Sequence, residues 1–141
     1  NVQGDEAFIT GDVLAPLTRL LEQERPMAAT LKAPVPEYDS NSNVFVTTNL
    51  KNQALYFSRS PIPNSREGQV KRFQHVGVYA FTPEALQKYC SLAPTPLEQG
   101  EMLEQLRWME HGYAWSVATA PIKPLSIDTA EDFERAKSFI K

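Results

Sequence analysis

Helical and strand-like segments that alternate along this chain predict an α/β layered domain. Three observations carry the expectation. Apolar residues recur at helical spacing near 12–24, β-branched and aromatic runs occupy 44–48, 54–58 and 73–81, and Thr82-Pro83 and Thr95-Pro96 have the form of helix starts. With 141 residues the chain has the length of one domain with a single buried core, and residues 1–141 are read as such.

The elements follow in order. After a Gly4-Asp5 turn, Val13, Leu14, Leu17, Leu20 and Leu21 mark an amphipathic helix over about 12–24. Pro16 either kinks that helix or marks a late first turn, because it lacks an N–H to donate. Met27 to Ala33 reads as a strand. Val44–Thr48 and Ala54–Ser58, separated by Asn49-Leu50-Lys51-Asn52, read as a hairpin, and residues 60–71 as a polar, Pro-containing loop. A strand is predicted over Phe73 to Phe81, with Phe73, His75, Gly77, Tyr79 and Phe81 on one face. Thr82 caps a helix that has Pro83 at its first position. Thr95 and Glu98 form a capping box for another helix, expected to run to about His111 and stop at Gly112. Ala114 to Thr119 is a strand, Leu125 to Ile127 a short one, and Asp128 to Ile140 a closing helix striped by Phe133, Ala136 and Ile140.

Composition narrows the function. Lys and Arg total 14 against 17 Asp and Glu, a formal charge of −3, and no basic cluster offers a footprint for nucleic acid or an anionic membrane surface. No apolar run approaches the roughly 20 residues of a membrane span. The single cysteine, Cys90, cannot close an internal disulfide, which fits a reducing, cytoplasmic compartment. The chain opens on Asn1-Val2-Gln3-Gly4-Asp5 without an initiator Met or signal peptide, so it is expected to be processed or the downstream part of something longer.

Phosphate-loop and dinucleotide fingerprints are missing, there is no cysteine pair, and His75 and His111 are not at metal-ligand spacing. Four features carry possible chemistry, each with a plainer alternative. Gln3-Gly4-Asp5-Glu6 puts acids at a strand's end, where an α/β sheet holds a ligand or hard cation; the alternative is a polar turn. Asp128 stands where the last helix starts, and there it or Thr129 can equally be an N-cap completed by Glu131 or Asp132. Arg59 ends an aromatic strand and offers a planar fork for carboxylate or phosphate, or is a surface residue at a sheet edge. His75 and Tyr79 share a strand face with Gly77 between them leaving room for a hydroxyl-rich ligand, or that face packs under a loop. Helical arithmetic buries Met102, Leu103, Leu106 and Met109 and turns Glu104 broadly away from them.

Five segments in register go further: Asn1-Val2-Gln3-Gly4-Asp5-Glu6, Ala54-Leu55-Tyr56-Phe57-Ser58-Arg59, His75-Val76-Gly77-Val78-Tyr79, Leu97-Glu98 through Leu103-Glu104-Gln105-Leu106-Arg107, and Ile127-Asp128-Thr129 with Glu131-Asp132. Together they resemble the C-terminal part of the CMP-Kdo synthetase (3-deoxy-manno-octulosonate cytidylyltransferase) family. The resemblance implies a Rossmann-like nucleotide-diphospho-sugar transferase sheet lacking its N-terminal nucleotide-binding half. It also implies a homodimer; the aromatic, β-branched hairpin at 44–58 offers an edge that needs covering, so the contact is expected at or near it, with Phe45 sensitive to a charge. The family's reaction joins CTP and Kdo into CMP-Kdo and pyrophosphate for lipopolysaccharide assembly, with Mg²⁺ as cofactor. By resemblance Asp5 and Asp128 match the magnesium-binding, catalytic aspartates. Gln3, Arg59, His75, Tyr79, Glu104 and Gln105 match positions that hold the sugar, with Arg59 as partner of its carboxylate. The CTP-gripping residues lie upstream in the family and have no counterpart here. The strand at 43–47 lacks a lysine that the family often has, and Ala7 replaces its usual Pro. The alternatives are a cytidylyltransferase for a related acidic sugar such as 8-amino-Kdo, and a non-catalytic sugar-binding or dimerisation remnant.

Overall fold

The computed structural model describes residues 1–35, 43–64, 66, 70–127 and 129–139. Within them the chain runs α1 (Gly11–Glu24), β1 (Ala28–Pro34), β2 (Phe45–Thr48), β3 (Ala54–Ser58), β4 (Phe73–Phe81), α2 (Pro83–Ser91), α3 (Pro96–Glu101), α4 (Gln105–Glu110), β5 (Ser116–Thr119) and α5 (Ala130–Lys137). The expected α/β class holds, and β3 and β4 have the predicted bounds.

The strands form one sheet in the order β3-β2-β4-β1-β5. The β1–β5 pair is parallel and the other pairs are antiparallel. In the turn before β3, Asn49 Oδ1 accepts from the N–H groups of Lys51 and Gln53. An Asn at a turn's first position does this because its short side chain mimics a backbone acceptor. Beyond the turn the hairpin reaches β5: Ala54 N–H donates to Trp115 O at 3.0 Å, and Val117 N–H to Asn52 O at 2.8 Å. The two ends of the sheet therefore meet, and the sheet curls.

One irregularity positions the site. Between β1 and β4, Thr30 pairs with Tyr79 but Leu31 with Val76, so Gly77 and Val78 fall outside the ladder. Their backbone groups are taken by the N-terminal segment, through a Val2–Val78 bridge and a Gln3 N–H to Gly77 O bond of 2.9 Å. A bulge of this kind re-aims side chains and frees backbone for another partner.

Two cores lie on opposite sides of the sheet. Val13 and Leu17 of α1 pack on Ala29, Leu31, Ala33, Val76, Val78 and Ala120. On the other side Phe57, Tyr79, Trp108, Trp115 and Leu106 pack with Ala28, Val46 and Ala85.

Several expectations are corrected. The helix predicted from Thr95 to His111 is two helices, broken at Met102, which has φ 54° and ψ 47°. The break has a tertiary cause: Glu101 turns back to the end of β3, taking Ser58 Oγ at 2.7 Å and Arg59 N–H at 2.9 Å. Met102, placed on the buried side by helical spacing, is exposed. Residues 125–127 form no strand, and the closing helix spans Ala130–Lys137 with Thr129 as its cap and Asp132 completing the box. Phe133 is exposed, so Ala136 alone of the described stripe is buried; Ile140 lies outside the described residues. Phe45, expected at an outer contact, is buried in the chain's own core, whereas Leu55 on the edge strand β3 is exposed.

Candidate functional site

Where the N-terminal segment crosses β4, a cavity of about 190 Å³ opens against the end of β3 and the α3–α4 turn. Gln3, Asp5, Arg59, His75, Tyr79, Glu104 and Gln105 all border it. Seven of the eight site residues predicted from sequence, drawn from four separate stretches of chain, are thus brought together. The eighth, Asp128, lies outside the described residues. Its neighbour Ile127 donates its N–H to Asp5 O at 2.9 Å, which ties the start of the last helix to the Gly4-Asp5 turn.

His75 and Tyr79 rise from β4 on either side of Gly77. Thr30 Oγ1 lies 2.7 Å from Val78 O and 2.8 Å from His75 Nε2. The single hydroxyl proton goes to the carbonyl, so Thr30 must accept from His75, which fixes the Nε2–H tautomer and leaves Nδ1 as an acceptor. Burial, helped by the Lys123 charge, pushes the imidazolium of His75 down to about 3. The ring is neutral at physiological pH. Burial, and then the negative charge of Glu104, raises the Tyr79 phenol well above its ordinary value, so it stays a donor; it gives its proton to Gln105 Oε1 at 3.3 Å.

Gln3 lies over Gly77. A Cβ added there would stand 2.3 Å from Gln3 Oε1 and 3.3 Å from Glu6 Cγ, so the glycine makes the floor on which both side chains rest. Gln3 Nε2 reaches Glu104 Oε1 at 3.3 Å across the cavity. The helix break explains how Glu104 and Gln105 come to the wall. Glu104 is the exposed N-cap of α4, and Gln105, the first residue of that helix, is buried, with its carbonyl held by Trp115 Nε1 at 2.9 Å.

Arg59 differs from its expected role in one respect. Its Nε donates to Glu101 O at 2.9 Å and its Nη2 to Met102 O at 3.3 Å. One edge of the guanidinium fork therefore clamps the α3–α4 turn, and Nη1 makes no hydrogen bond among the described residues. Burial alone would raise the Glu101 carboxyl. Hydrogen bonds from Arg59 N–H, Ser58 and Tyr56, with the Arg59 charge, outweigh it and hold the carboxyl below the usual range.

Glu6, which the sequence marked only as part of the acidic turn, and Lys123, which it did not mark, also border the cavity. Glu6 is buried, and its Oε1 accepts from Gly77 N–H at 2.8 Å and pairs with Lys123 Nζ at 3.2 Å. Lys123 lies in an irregular segment next to Pro124 with no hydrophobic period to place it, and no sequence signal marks it. Asp5 borders the cavity with no side-chain hydrogen bond among the described residues, which leaves an oxygen donor of the kind a hard cation takes. No group of three or more His, Cys, Asp or Glu side chains able to hold a metal occurs among the described residues.

Comparison with known proteins gives the family. The family described as cytidylyltransferase matches residues 1–138. A 3-deoxy-manno-octulosonate cytidylyltransferase of Acaryochloris marina is 44% identical over 146 residues, covering 100% of this chain and 60% of the relative. One from an Anaeromyxobacter species is 41% identical over 143 residues, covering 99% and 59%. A solved structure of CMP:2-keto-3-deoxy-manno-octonic acid synthetase complexed with CTP superposes with a TM-score of 0.86 at 35% identity, covering 99% of this chain and 60% of that one. The chain spans about 60% of the length of these relatives.

Proposed function

The chain belongs to the cytidylyltransferase family, and from that premise we propose that in the full-length protein it takes part in transfer of the cytidylyl group of CTP to Kdo, giving CMP-Kdo and pyrophosphate for lipopolysaccharide assembly. The observation that carries the reading is the convergence of Gln3, Arg59, His75, Tyr79, Glu104 and Gln105 on one polar cavity beside Asp5. Such a wall suits a ligand with many hydroxyls and one carboxylate. It offers the neutral acceptor of His75, the phenol of Tyr79, two amides, a carboxylate and a guanidinium.

In the reaction the sugar's anomeric oxygen forms a bond to the α-phosphorus of CTP while the bond to the pyrophosphate oxygen breaks, and the hydroxyl proton is lost. No covalent enzyme intermediate is needed, so the protein's share is positioning and charge stabilisation. Tyr79 and Gln105 orient one side of the sugar, Gln3 and Glu104 the other, and Arg59 Nη1 faces the carboxylate. Asp5 and Asp128 are the residues that would hold Mg²⁺. The Asp5 carboxylate, without a side-chain hydrogen bond among the described residues, and the Ile127–Asp5 bond support the pairing, and such an ion is commonly held by one or two carboxylates together with substrate phosphates. When bound, Mg²⁺ neutralises phosphate charge.

The test is pyrophosphate release by the full-length protein from CTP, Mg²⁺ and a panel of acidic sugars. Kdo should be the preferred acceptor; preference for 8-amino-Kdo or another ulosonic acid would move the substrate assignment. Asp128→Asn should abolish Mg²⁺-dependent turnover without altering thermal unfolding, and normal turnover would remove both aspartates from the metal site. The reading includes a homodimer joined near the hairpin, with exposed Leu55 on the edge strand as the contact rather than Phe45. An unchanged sedimentation coefficient for Leu55→Arg would refute that contact. A cytoplasmic location also belongs to it, in keeping with the free, exposed thiol of Cys90. Among the described residues no helix is long and apolar enough to cross a membrane.

A further inference from the structure

Among the described residues that border the cavity, the cationic side chains are Arg59 and Lys123. Arg59 spends Nε and Nη2 on the carbonyls of Glu101 and Met102, so it cannot meet a carboxylate through that edge of its fork. Lys123 is differently placed. Its side chain is 13% exposed, and its ammonium, with three donors, has one hydrogen bond among the described residues, to Glu6 Oε1 at 3.2 Å. Glu6 is in turn fixed by Gly77 N–H at 2.8 Å, so the ammonium is anchored before any ligand arrives. An ordered donor of this kind loses little side-chain freedom on binding, which favours affinity. His75 is within reach of the Lys123 charge and is itself neutral, so it brings no positive charge of its own.

We propose that Lys123 is a second substrate-binding cation, its ammonium bridging the Glu6 carboxylate and the carboxylate of the acidic sugar. The inference rests on the proposed function and adds to it the residue that selects an acidic over a neutral ligand. Glu6 then serves as the positioning residue that aims Lys123, and Gly77 as the seat that aims Glu6.

The experiment compares wild-type full-length protein with Lys123→Gln, whose amide can still donate to Glu6 but carries no charge. Wild-type turnover with CTP and Kdo is read first, since its absence overturns the synthetase reading itself. Given turnover, the variant should raise the KM for Kdo about 10- to 100-fold, the range for losing one charge-assisted hydrogen bond, with the KM for CTP within about twofold. Lys123→Arg should recover most of the loss. The C1 amide of Kdo, as a competitive inhibitor, should bind wild type and Lys123→Gln alike. An unchanged KM for Kdo, equal losses for Kdo and its C1 amide, or a shift in the CTP KM instead would each overturn the assignment. Should Lys123→Gln not fold, Glu6→Gln with Lys123→Gln removes the pair together and is read by the same comparison.

Discussion

On one face of β1 and β4 the side chains are small and aliphatic: Ala29, Leu31, Ala33, Val76 and Val78, closed over by Val13 and Leu17 of α1. On the other face the same two strands present Thr30, Lys32, His75 and Tyr79, set among Phe57, Trp108 and Trp115. The first face has no hydrogen bonds to satisfy and packs by volume alone. The second mixes large rings with polar groups that need partners, and it finds them: His75 in Thr30, Tyr79 in Gln105, Lys32 in Thr48 Oγ1 at 2.6 Å. Rings in a chain from Phe57 through His75 and Tyr79 to Trp115, with centroids 5.1 to 5.4 Å apart, hold these groups in fixed orientations. One sheet thus separates an aliphatic packing face from the polar face that borders the cavity by strand alternation.

That separation can be broken most severely from the aliphatic side. Leu31 is completely buried there. Leu31→Ala should cost about 2–5 kcal/mol in unfolding free energy by chemical denaturation, while the KM for the sugar stays within about twofold. A change in KM as large as the change in stability would show that the two faces are coupled.

The polar face should respond to pH where the aliphatic face does not. Folding holds the His75 pKa at about 3 against 6.5 for the free side chain, so below pH 6.5 the unfolded chain binds the extra proton. The contribution is therefore complete above pH 6.5 and declines as pH falls toward 3. Each unit in between costs up to about 1.4 kcal/mol. Between pH 6.5 and 4.5, above the range where carboxylates dominate, wild type should lose roughly 2–3 kcal/mol more than His75→Asn, which cannot titrate. Equal pH profiles for the two proteins would show that the imidazole is not held neutral by burial.

How much of this was legible in sequence follows from the range of the forces involved. β4 and its His75-Gly77-Tyr79 face were legible because alternation is local, and the β2–β3 hairpin because Asn49 writes its own turn. The α3–α4 break was not. Helical spacing continues through Met102, and what stops the helix is Glu101 bonding to Ser58, 43 residues away in the chain. The same contact decides what Arg59 can do, since its fork is turned onto the carbonyls that the break exposes. Lys123 was invisible for a different reason: it belongs to no periodic segment, and its meaning comes only from Glu6, 117 residues earlier. Asp5 and the other cavity residues were singled out through the resemblance, not by their local chemistry, which in each case allowed a plainer role.

The smallest expected effect on stability is also the sharpest test of the separation. Gly77 has no left-handed backbone requirement, so alanine can adopt its conformation, and loss of glycine's freedom in the unfolded chain favours folding by about 0.4–1 kcal/mol. Against this stands the new Cβ, 2.3 Å from Gln3 Oε1 and 3.3 Å from Glu6 Cγ. The first is the end of a flexible side chain that can swing away, and the second needs only a few tenths of an ångström. Gly77→Ala should therefore change unfolding free energy by less than about 1 kcal/mol in either direction. It should nevertheless raise the KM for the sugar severalfold, because Gln3 leaves its place beside Glu104 and Glu6 shifts under Lys123. A stable variant with an unaltered KM would mean that the floor of the cavity does not touch the ligand. A strongly destabilised one would mean that the polar face is packed as tightly as the aliphatic face behind it.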